Sequence, residues 1–255
     1  MALPLVLVTT TLLVMLQIHH HGAVRILTLD RPEARNAMDH SLYMALGDEL
    51  TDAANDDDVH VVMVTGAGPA FCAGQDLHEM AALATGSVSF AGGHGFTRMM
   101  DVLEIFPKPI IAAVNGAAAG IGLTILLHFD IVFVGQSARL RVPFSEMGVP
   151  PEAASSALLP ERVGWQKASE LLFTSSWMSA EEAVQYGLAL RLFADDVLQE
   201  ETLKMALHIA SFDGRATRTS KELMLAARGD ISIAARAREN AAFATLFRTR
   251  RESKD

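Results

Sequence analysis

Cysteine and positive charge are scarce in this 255-residue chain. The single cysteine, Cys72, excludes an internal disulfide and is typical of a reducing compartment, so we expect a cytoplasmic location. Lys and Arg number 21 against 30 Asp and Glu, which gives a formal net charge of −9. Because nucleic acids select basic surfaces, this balance disfavours a nucleic acid as the partner. An anionic small molecule is compatible with it, since a few local cations and backbone N–H groups suffice to hold one.

The usual metal-binding and phosphate-binding motifs are lacking as well. The three consecutive histidines at 19–21 have neither zinc-helix spacing nor a carboxylate cluster beside them. We therefore expect an exposed strand end or turn there and no metal site. Neither Gly-Lys-Ser/Thr nor Gly-x-Gly-x-x-Gly opens a strand–helix unit, which argues against a phosphate-binding loop.

Charged residues are absent from positions 2–18, which are almost entirely apolar or Thr. The segment has neither the positive start nor the small-residue cleavage site of a secretory signal. It is also shorter than the roughly 20 residues of a membrane span, and it contains Pro4. β-Branched residues over 12–18 favour a strand that pairs with 24–29 across the turn at 21–22. We expect a leader followed by a strand and no membrane association, with a membrane anchor as the alternative.

Strands and helices alternate through the first two thirds of the chain. Apolar, β-branched runs predict strands at 59–65, 110–114, 131–134 and 139–142. Periodicity, caps and prolines predict helices at 39–54, 77–83, 94–106 and 117–128. Beyond residue 164 the pattern is mostly helical, and Ser179 with Glu182 forms a capping box. The order predicts an α/β fold, with a core over 10–195 and a C-terminal helical region over 196–255 for packing or oligomerisation.

Two glycine-containing segments, 70–77 and 115–123, each follow a buried strand and precede a helix. Backbone N–H groups in the first turn of a helix have no partner within the helix. Two such N–H groups that converge on one point form an oxyanion hole. Taken alone, either segment could equally be a tight turn between a strand and a helix.

Three segments resemble signature sequences of the crotonase (enoyl-CoA hydratase/isomerase) superfamily in order and spacing, namely 31–37, 71–77 and 108–116. Downstream, 158–160, 171–174 and 180–188 are similar to further markers of that family. The resemblance covers roughly residues 13–230. It implies a spiral of repeated ββα units with a C-terminal helical region, usually assembled as a homotrimer or hexamer.

The resemblance also implies an acyl-CoA thioester as the substrate, with coenzyme A as part of that substrate and no separate cofactor. The thioester carbonyl would lie between the backbone N–H groups of Gln75 and Ile121. The position of Ile121 is commonly glycine in the family, and isoleucine keeps the N–H but does not readily adopt a positive φ. The residues that the resemblance places near coenzyme A are Arg35, Ala37, Ala73, Asp76 and Leu77.

The reaction depends on which carboxylates are available. Family hydratases use two, because water must be activated and C2 reprotonated, but the matching positions here are Thr124 and Phe144. Residues 149–156 instead resemble the Pro-Glu-x-x-Ser-Ser stretch of a branch of Δ3-Δ2-enoyl-CoA isomerases, which makes Glu152 the candidate base. A 1,3-proton shift needs one shuttling group, and an apolar pocket would raise the pKa of that carboxyl. A helix N-terminal carboxylate is its alternative role.

Four further side chains are weaker candidates. Glu146 could be a second acid but is better interpreted as solvated, Asp130 as structural, and His128 and Cys72 as packing residues. The sequence therefore predicts an enoyl-CoA isomerase that shifts a double bond from Δ3 to Δ2 through an oxyanion-stabilised dienolate. The alternatives are an enoyl-CoA hydratase of fatty-acid β-oxidation and a non-catalytic acyl-CoA binder.

Overall fold

The part of the chain described here is residues 15–252 of a computed structural model, with side chains up to residue 246. The predicted leader and residues 253–255 lie outside the described residues. The strands are β1 (Leu16–His21), β2 (Val24–Leu29), β3 (Val61–Gly66), β4 (Ala70–Cys72), β5 (Ile110–Val114), β6 (Ala117–Ala119), β7 (Ile131–Gly135), β8 (Arg139–Arg141), β9 (Met178–Ser179) and β10 (Arg191–Phe193).

Helices follow most of the strand pairs and make up the C-terminal region. They are α1 (His40–Asn55), α2 (Leu77–Thr85), α3 (Gly95–Leu103), α4 (Ile121–Thr124), α5 (Phe144–Met147), α6 (Ser155–Val163), α7 (Trp165–Thr174), α8 (Ala180–Gln185), α9 (Leu198–Ala210), α10 (Gly214–Arg228) and α11 (Ile231–Glu252). Two 3-10 turns cover Pro32–Ala34 and Ile125–His128.

The strands form two sheets within the described residues. One has six strands in the order β1-β2-β3-β5-β7-β10, and the other has four in the order β4-β6-β8-β9. Three successive pairs, β3 with β4, β5 with β6 and β7 with β8, place one strand in each sheet before a helix follows. This arrangement is the predicted spiral of ββα units, and the α/β prediction is confirmed.

The first hairpin is the predicted one. β1 and β2 pair antiparallel with Leu16 opposite Leu29, and Gly22 takes the positive φ of 57° that the turn requires. His19, His20 and His21 are exposed at the end of β1, as predicted. The strand begins at Leu16 among the described residues, so the part of the predicted strand before residue 15 remains outside them.

Helix α1 begins where the sequence predicts it. The Asp39 carboxylate caps the helix by accepting the Leu42 N–H at 2.8 Å. Leu42, Leu46 and Leu50 recur at helical spacing and are buried in the main core. Gly47 allows α3 to approach closely, since a Cβ there would lie 3.2 Å from the Met99 Cα.

Two predicted helices have different bounds in the structure. The helix predicted from residue 117 begins only at Ile121, because Ala117–Ala119 pairs as β6 with β4 and β8, in parallel with both. Tertiary pairing here overrides the helix propensity of alanine. The helix predicted over 94–106 ends at Leu103, in keeping with the approach of Pro107, which disfavours helical geometry in the residue before it.

After β10 the described chain is helical. α9 covers one face of the six-stranded sheet, with Leu198 and Ala206 packed against Val24 and Val61. α10 is attached to the core by Lys221, whose Nζ donates to the Lys108 carbonyl at 2.7 Å and to Asp130 at 2.8 Å. The division near residue 195 and the oligomeric role of this region remain predictions. No helix in the described range is both apolar and long enough to cross a bilayer.

Candidate active site

The turn after β4 presents the N–H of Gln75. Gly74, at φ 112°, accepts the Met38 N–H at 2.8 Å, and the Asp76 N–H donates to the Met38 carbonyl at 2.9 Å. In extended backbone, successive N–H groups point to opposite sides, so the Gln75 N–H points away from Met38. On that side it has no hydrogen-bond acceptor among residues 15–252. It is therefore free to bind a ligand.

The turn after β6 presents a second such group. Gly120 takes the positive φ of 53°, and Ile121 is the first residue of α4, where an N–H has no helical partner. Ile121 has no positive φ, so the side chain at this position is compatible with the turn. Isoleucine at position 121 therefore does not distort the turn, because the positive φ falls on Gly120.

The two turns lie against each other. β4 and β6 are neighbouring parallel strands, with Cys72 opposite Ala118. A Cβ on Gly122 would lie 2.2 Å from the Cys72 carbonyl oxygen, and one on Gly74 would lie 3.1 Å from the Ala119 carbonyl oxygen. The structure thus brings the Gln75 and Ile121 turns together at the carboxyl ends of adjacent strands.

The five residues predicted to contact coenzyme A gather around the same turn. The Ala73 N–H donates to the Arg35 carbonyl at 3.0 Å, and the exposed Leu77 opens α2. Asp76 caps that helix by accepting the His78 and Glu79 N–H groups. Although partial burial raises the pKa of the Asp76 carboxyl, hydrogen bonds from the Glu79 N–H and from a neighbouring guanidinium lower it overall.

That guanidinium belongs to Arg31, which was not among the candidate residues. It donates to the Ala37 carbonyl at 2.5 Å and to Asp76 at 3.1 Å, and so ties two of the predicted contact residues together. Its place at the start of the 31–37 signature segment was the signal for it. Asn36 supports the same turn, since its Nδ2 donates to the carbonyls of Ala67 and Ala70.

Glu152 lies in the loop between α5 and α6 and is half-buried. Its carboxylate accepts no hydrogen bond from any described residue. Burial, reinforced by the negative charge of Glu239, raises the pKa of Glu152 to about 7. α6 begins at Ser155 without a side-chain cap, so Glu152 makes no capping hydrogen bond to this helix.

Glu152 is close enough to Cys72 of β4 and to Tyr43 of α1 for its charge to act on both. Burial raises the pKa of the Cys72 thiol to about 12 and raises the pKa of the Tyr43 phenol, and in both cases the negative charge of Glu152 adds to the effect. Tyr43 in turn donates to the Gln75 side chain at 2.8 Å. The candidate base is therefore on the same side of the molecule as the Gln75 turn.

Two further residues support the Glu152 loop. Glu239 was not among the candidate residues, and His128 was interpreted as a packing residue. Glu239 of α11 accepts the N–H groups of Ala154 and Ser156, each at 2.8 Å. His128 Nε2 lies 2.8 Å from the Ala153 carbonyl oxygen. Burial lowers the pKa of His128 to about 4, so the ring is neutral and Nε2 carries the hydrogen that this carbonyl accepts.

The two positions that match the hydratase carboxylates hold no acid. Thr124 and Phe144 are both buried, and the Thr124 Oγ1 has no hydrogen-bond partner among the described residues. Glu146 is exposed and pairs with Arg141, which agrees with its interpretation as a solvated residue.

Asp130 has the structural role predicted for it, since its Oδ2 accepts the Ile110 N–H at 2.8 Å and the Lys221 ammonium. The described residues contain no group of three His, Cys, Asp or Glu side chains that could hold a metal ion.

Comparison with known proteins identifies the family of this site. Residues 19–254 match the Enoyl-CoA hydratase/isomerase family. The chain belongs to the enoyl-CoA hydratase/isomerase family. Members are acyl-CoA enzymes, and the resemblance seen in the signature segments is confirmed.

Relatives within this enoyl-CoA hydratase/isomerase family have different named activities. The chain is 36% identical to 2,3-dehydroadipyl-CoA hydratase of Escherichia coli over 79% of this chain and 78% of that protein. It is 33% identical to enoyl-CoA delta isomerase 2 of Rattus norvegicus over 80% of this chain and 52% of that protein. The crystal structure of an enoyl-CoA hydratase/isomerase from Pseudoalteromonas atlantica superimposes with a TM-score of 0.88 at 39% identity, covering 91% of each chain. The reaction must therefore be inferred from the side chains of this protein.

Proposed function

We propose that this enzyme isomerises a 3-enoyl-CoA to the conjugated 2-enoyl-CoA, with Glu152 as its single proton shuttle. The observation that carries the proposal is the combination of one half-buried carboxyl of pKa about 7 with Thr124 and Phe144 at the hydratase carboxylate positions. Hydration would require a second acid–base group, whereas a 1,3-proton shift requires one.

The proposed reaction has two proton transfers. The Glu152 carboxylate removes a proton from C2, and the electron pair of that C–H bond delocalises over C2 to C4 and the thioester carbonyl. The resulting dienolate oxygen accepts the N–H groups of Gln75 and Ile121. The same carboxyl then returns the proton to C4, which leaves the double bond between C2 and C3 and restores the carboxylate.

In this proposal the oxyanion donors and the acid–base group each contribute to kcat. Loss of one oxyanion donor typically lowers kcat by about 10²- to 10³-fold, and a positioned acid–base group contributes about 10²- to 10⁴-fold. A carboxyl whose pKa is near neutral can both take and release the proton at working pH. Both oxyanion donors are backbone groups, which suits a thioester oxygen of any acyl chain.

The substrate is held at the turn before α2 in this proposal. Coenzyme A would lie along Arg35, Ala37, Ala73, Asp76 and Leu77, with no separate cofactor and no metal. A homotrimer or hexamer in the cytoplasm is the assembly that we propose, in keeping with the family.

The test is isomerisation of a 3-enoyl-CoA, followed by the ultraviolet absorbance of the conjugated thioester, in wild type, Glu152→Gln and Glu146→Gln. Glu146→Gln is the matched control, because it removes an exposed carboxylate six positions away that pairs with Arg141. We expect Glu152→Gln to lower kcat by about 10²- to 10⁴-fold while acyl-CoA affinity is retained, and Glu146→Gln to match wild type.

Other results would replace the proposal. Hydration of a 2-enoyl-CoA that outpaces isomerisation in wild type would establish a hydratase. Tight acyl-CoA binding with neither reaction would establish a binder. Full turnover in Glu152→Gln would remove Glu152 as the base.

A further inference from the structure

Glu239 is a buried carboxylate without a cationic partner. It lies on α11, on the face that also buries Ser232 and Ala235, and only 5% of it is exposed. No ion pair within the described residues includes it, and Arg236 one turn away pairs instead with Asp101 and Glu104. Since a buried charge is costly unless strong hydrogen bonds satisfy it, the partners of this carboxylate should explain its position.

Those partners are backbone groups of the loop that carries Glu152. One carboxylate oxygen of Glu239 accepts the Ala154 N–H and the other accepts the Ser156 N–H, both at 2.8 Å. These N–H groups lie at the start of α6, where helical partners are lacking. Glu239 therefore supplies from another helix the cap that α6 does not have in its own sequence.

The same loop has an unfavourable backbone conformation. Ala153 and Ala154 have φ of 54° and 61°, in the left-handed region that non-glycine residues rarely adopt. Such a conformation persists only where surrounding contacts enforce it. Here the contacts are the two bonds to Glu239 and the bond from His128 to the Ala153 carbonyl oxygen.

We propose that Glu239 is a positioning residue for catalysis, which holds the 153–156 loop so that Glu152 points at the substrate. This inference rests on the proposed function, in which Glu152 is the base. Glu239 touches no reacting atom and acts only through the loop and through its charge.

The charge of Glu239 has a separate effect on Glu152. Besides Glu239 from α11, the titratable groups around Glu152 are Tyr43 from α1, Cys72 from β4 and the neutral His128. Of these, Glu239 is the one whose negative charge raises the pKa of Glu152, after burial itself. Replacing Glu239 by a neutral residue should therefore lower the pKa of Glu152.

The variants Glu239→Gln and Glu239→Asp separate geometry from charge. Glutamine has the same shape, but its amide offers a donor where one backbone N–H needs an acceptor. Aspartate retains the charge with a shorter reach. The control is Glu222→Gln on α10, which removes an exposed carboxylate paired with Arg218.

For Glu239→Gln we expect a fall in kcat of about 10- to 100-fold with little change in KM, because a misplaced catalytic group costs about this much. The acidic limb of its kcat/KM profile should move to lower pH. Glu239→Asp should retain the acidic limb of wild type and lose less kcat. Amide hydrogen exchange over 153–157 should accelerate in Glu239→Gln and remain as in wild type in Glu222→Gln.

The outcomes distinguish this inference from the function it rests on. A wild type that isomerises, together with Glu239→Gln of unchanged kcat and acidic limb, overturns the role of Glu239 alone, whatever the exchange data show. If Glu239→Gln does not fold, a Glu239→Asp variant with wild-type kcat and exchange overturns it equally. A wild type without isomerisation overturns the proposed function and the positioning role with it.

Discussion

Tyr43 Oη donates a 2.8 Å hydrogen bond to the side-chain oxygen of Gln75, and this bond joins the buried face of α1 to the turn that follows β4. Tyr43 is fully buried, and the Gln75 side chain also donates to Glu79 at 3.1 Å. The residue whose N–H is a proposed oxyanion donor is thus fixed at its side chain from two helices.

Tyr43→Phe should weaken both stability and turnover. Removal of the hydroxyl leaves the Gln75 side-chain oxygen without its donor, and the net cost of such a hydrogen bond is about 1 kcal/mol in the free energy of unfolding. We expect kcat/KM to fall by about 3- to 10-fold, which corresponds to about 1 kcal/mol of transition-state stabilisation. Chemical denaturation and the isomerisation assay measure the two effects. Tyr186→Phe on the exposed surface is the control, and a Tyr43→Phe variant as active as wild type would contradict this account.

The activity should depend on pH through Glu152. In the proposed reaction the Glu152 carboxylate removes the C2 proton, and burial raises the pKa of Glu152 to about 7. For the free enzyme, kcat/KM should therefore rise with pH and reach half of its plateau near pH 7. A kcat/KM profile that is flat from pH 5 to 8 would be inconsistent with Glu152 as the base.

Stability should change with pH in the opposite sense. The folded pKa of about 7 exceeds the ordinary value of 4.5, so between these values the folded protein binds more protons than the unfolded chain. The free energy of unfolding contributed by Glu152 therefore falls as pH rises from 4.5 to 7 and is constant above it.

Glu152→Gln removes this contribution. Relative to wild type the variant should become more stable as the pH rises from 4.5 to 7, by at most about 3 kcal/mol, since one pKa unit corresponds to about 1.4 kcal/mol. Denaturant unfolding at pH 5 and pH 8 measures the difference. An equal difference in the free energy of unfolding at both pH values would show that folding does not shift the pKa of the Glu152 carboxyl.

Gly122→Ala should disrupt the contact between the Gln75 turn and the Ile121 turn. A Cβ there would lie 2.2 Å from the Cys72 carbonyl oxygen, which belongs to the backbone of the neighbouring strand and cannot move aside cheaply. We expect a loss of about 3 kcal/mol or more in the free energy of unfolding, and loss of turnover.

The control for this prediction is Gly86→Ala. Gly86 has a positive φ, of 72°, which Gly122 does not have, and a Cβ at position 86 meets nothing within 4 Å. This substitution should cost only about 1–2 kcal/mol and leave turnover intact. Thermal unfolding and the isomerisation assay on both variants decide the comparison. A Gly122→Ala variant that loses no more stability or turnover than Gly86→Ala would show that the contact with the Cys72 carbonyl oxygen does not determine the effect.

Periodicity and capping predict much of this fold, because most elements agree with their local sequence. The Asp39 cap and the Ser179–Glu182 capping box are both where the sequence places them. β6 is an exception, since Ala117–Ala119 favours a helix locally and becomes a strand through partners at β4 and β8. Partners distant in sequence cannot be identified from the local pattern.

The candidate site likewise contains some residues that the sequence predicts and some that it does not. Gln75, Ile121 and Glu152 follow from signature segments, each short enough to recognise. Glu239 does not, because it is one acidic residue in a largely exposed helix, and its partners are backbone groups 85 and 83 positions away. Buried polar contacts of this range become visible only in three dimensions.

The packing of α11 also affects when, during synthesis, the loop that carries Glu152 can take its final conformation. The N–H groups of Ala154 and Ser156 leave the ribosome long before their carboxylate partner, which follows 85 residues after Ala154. At a translation rate of about 5–20 residues per second, several seconds separate the two. During that interval the nascent spiral can close its sheets, but its two alanines have no carboxylate to hold them in left-handed geometry. Under the proposed function, Glu152 can therefore act as the base only after α11 has been synthesised and packed.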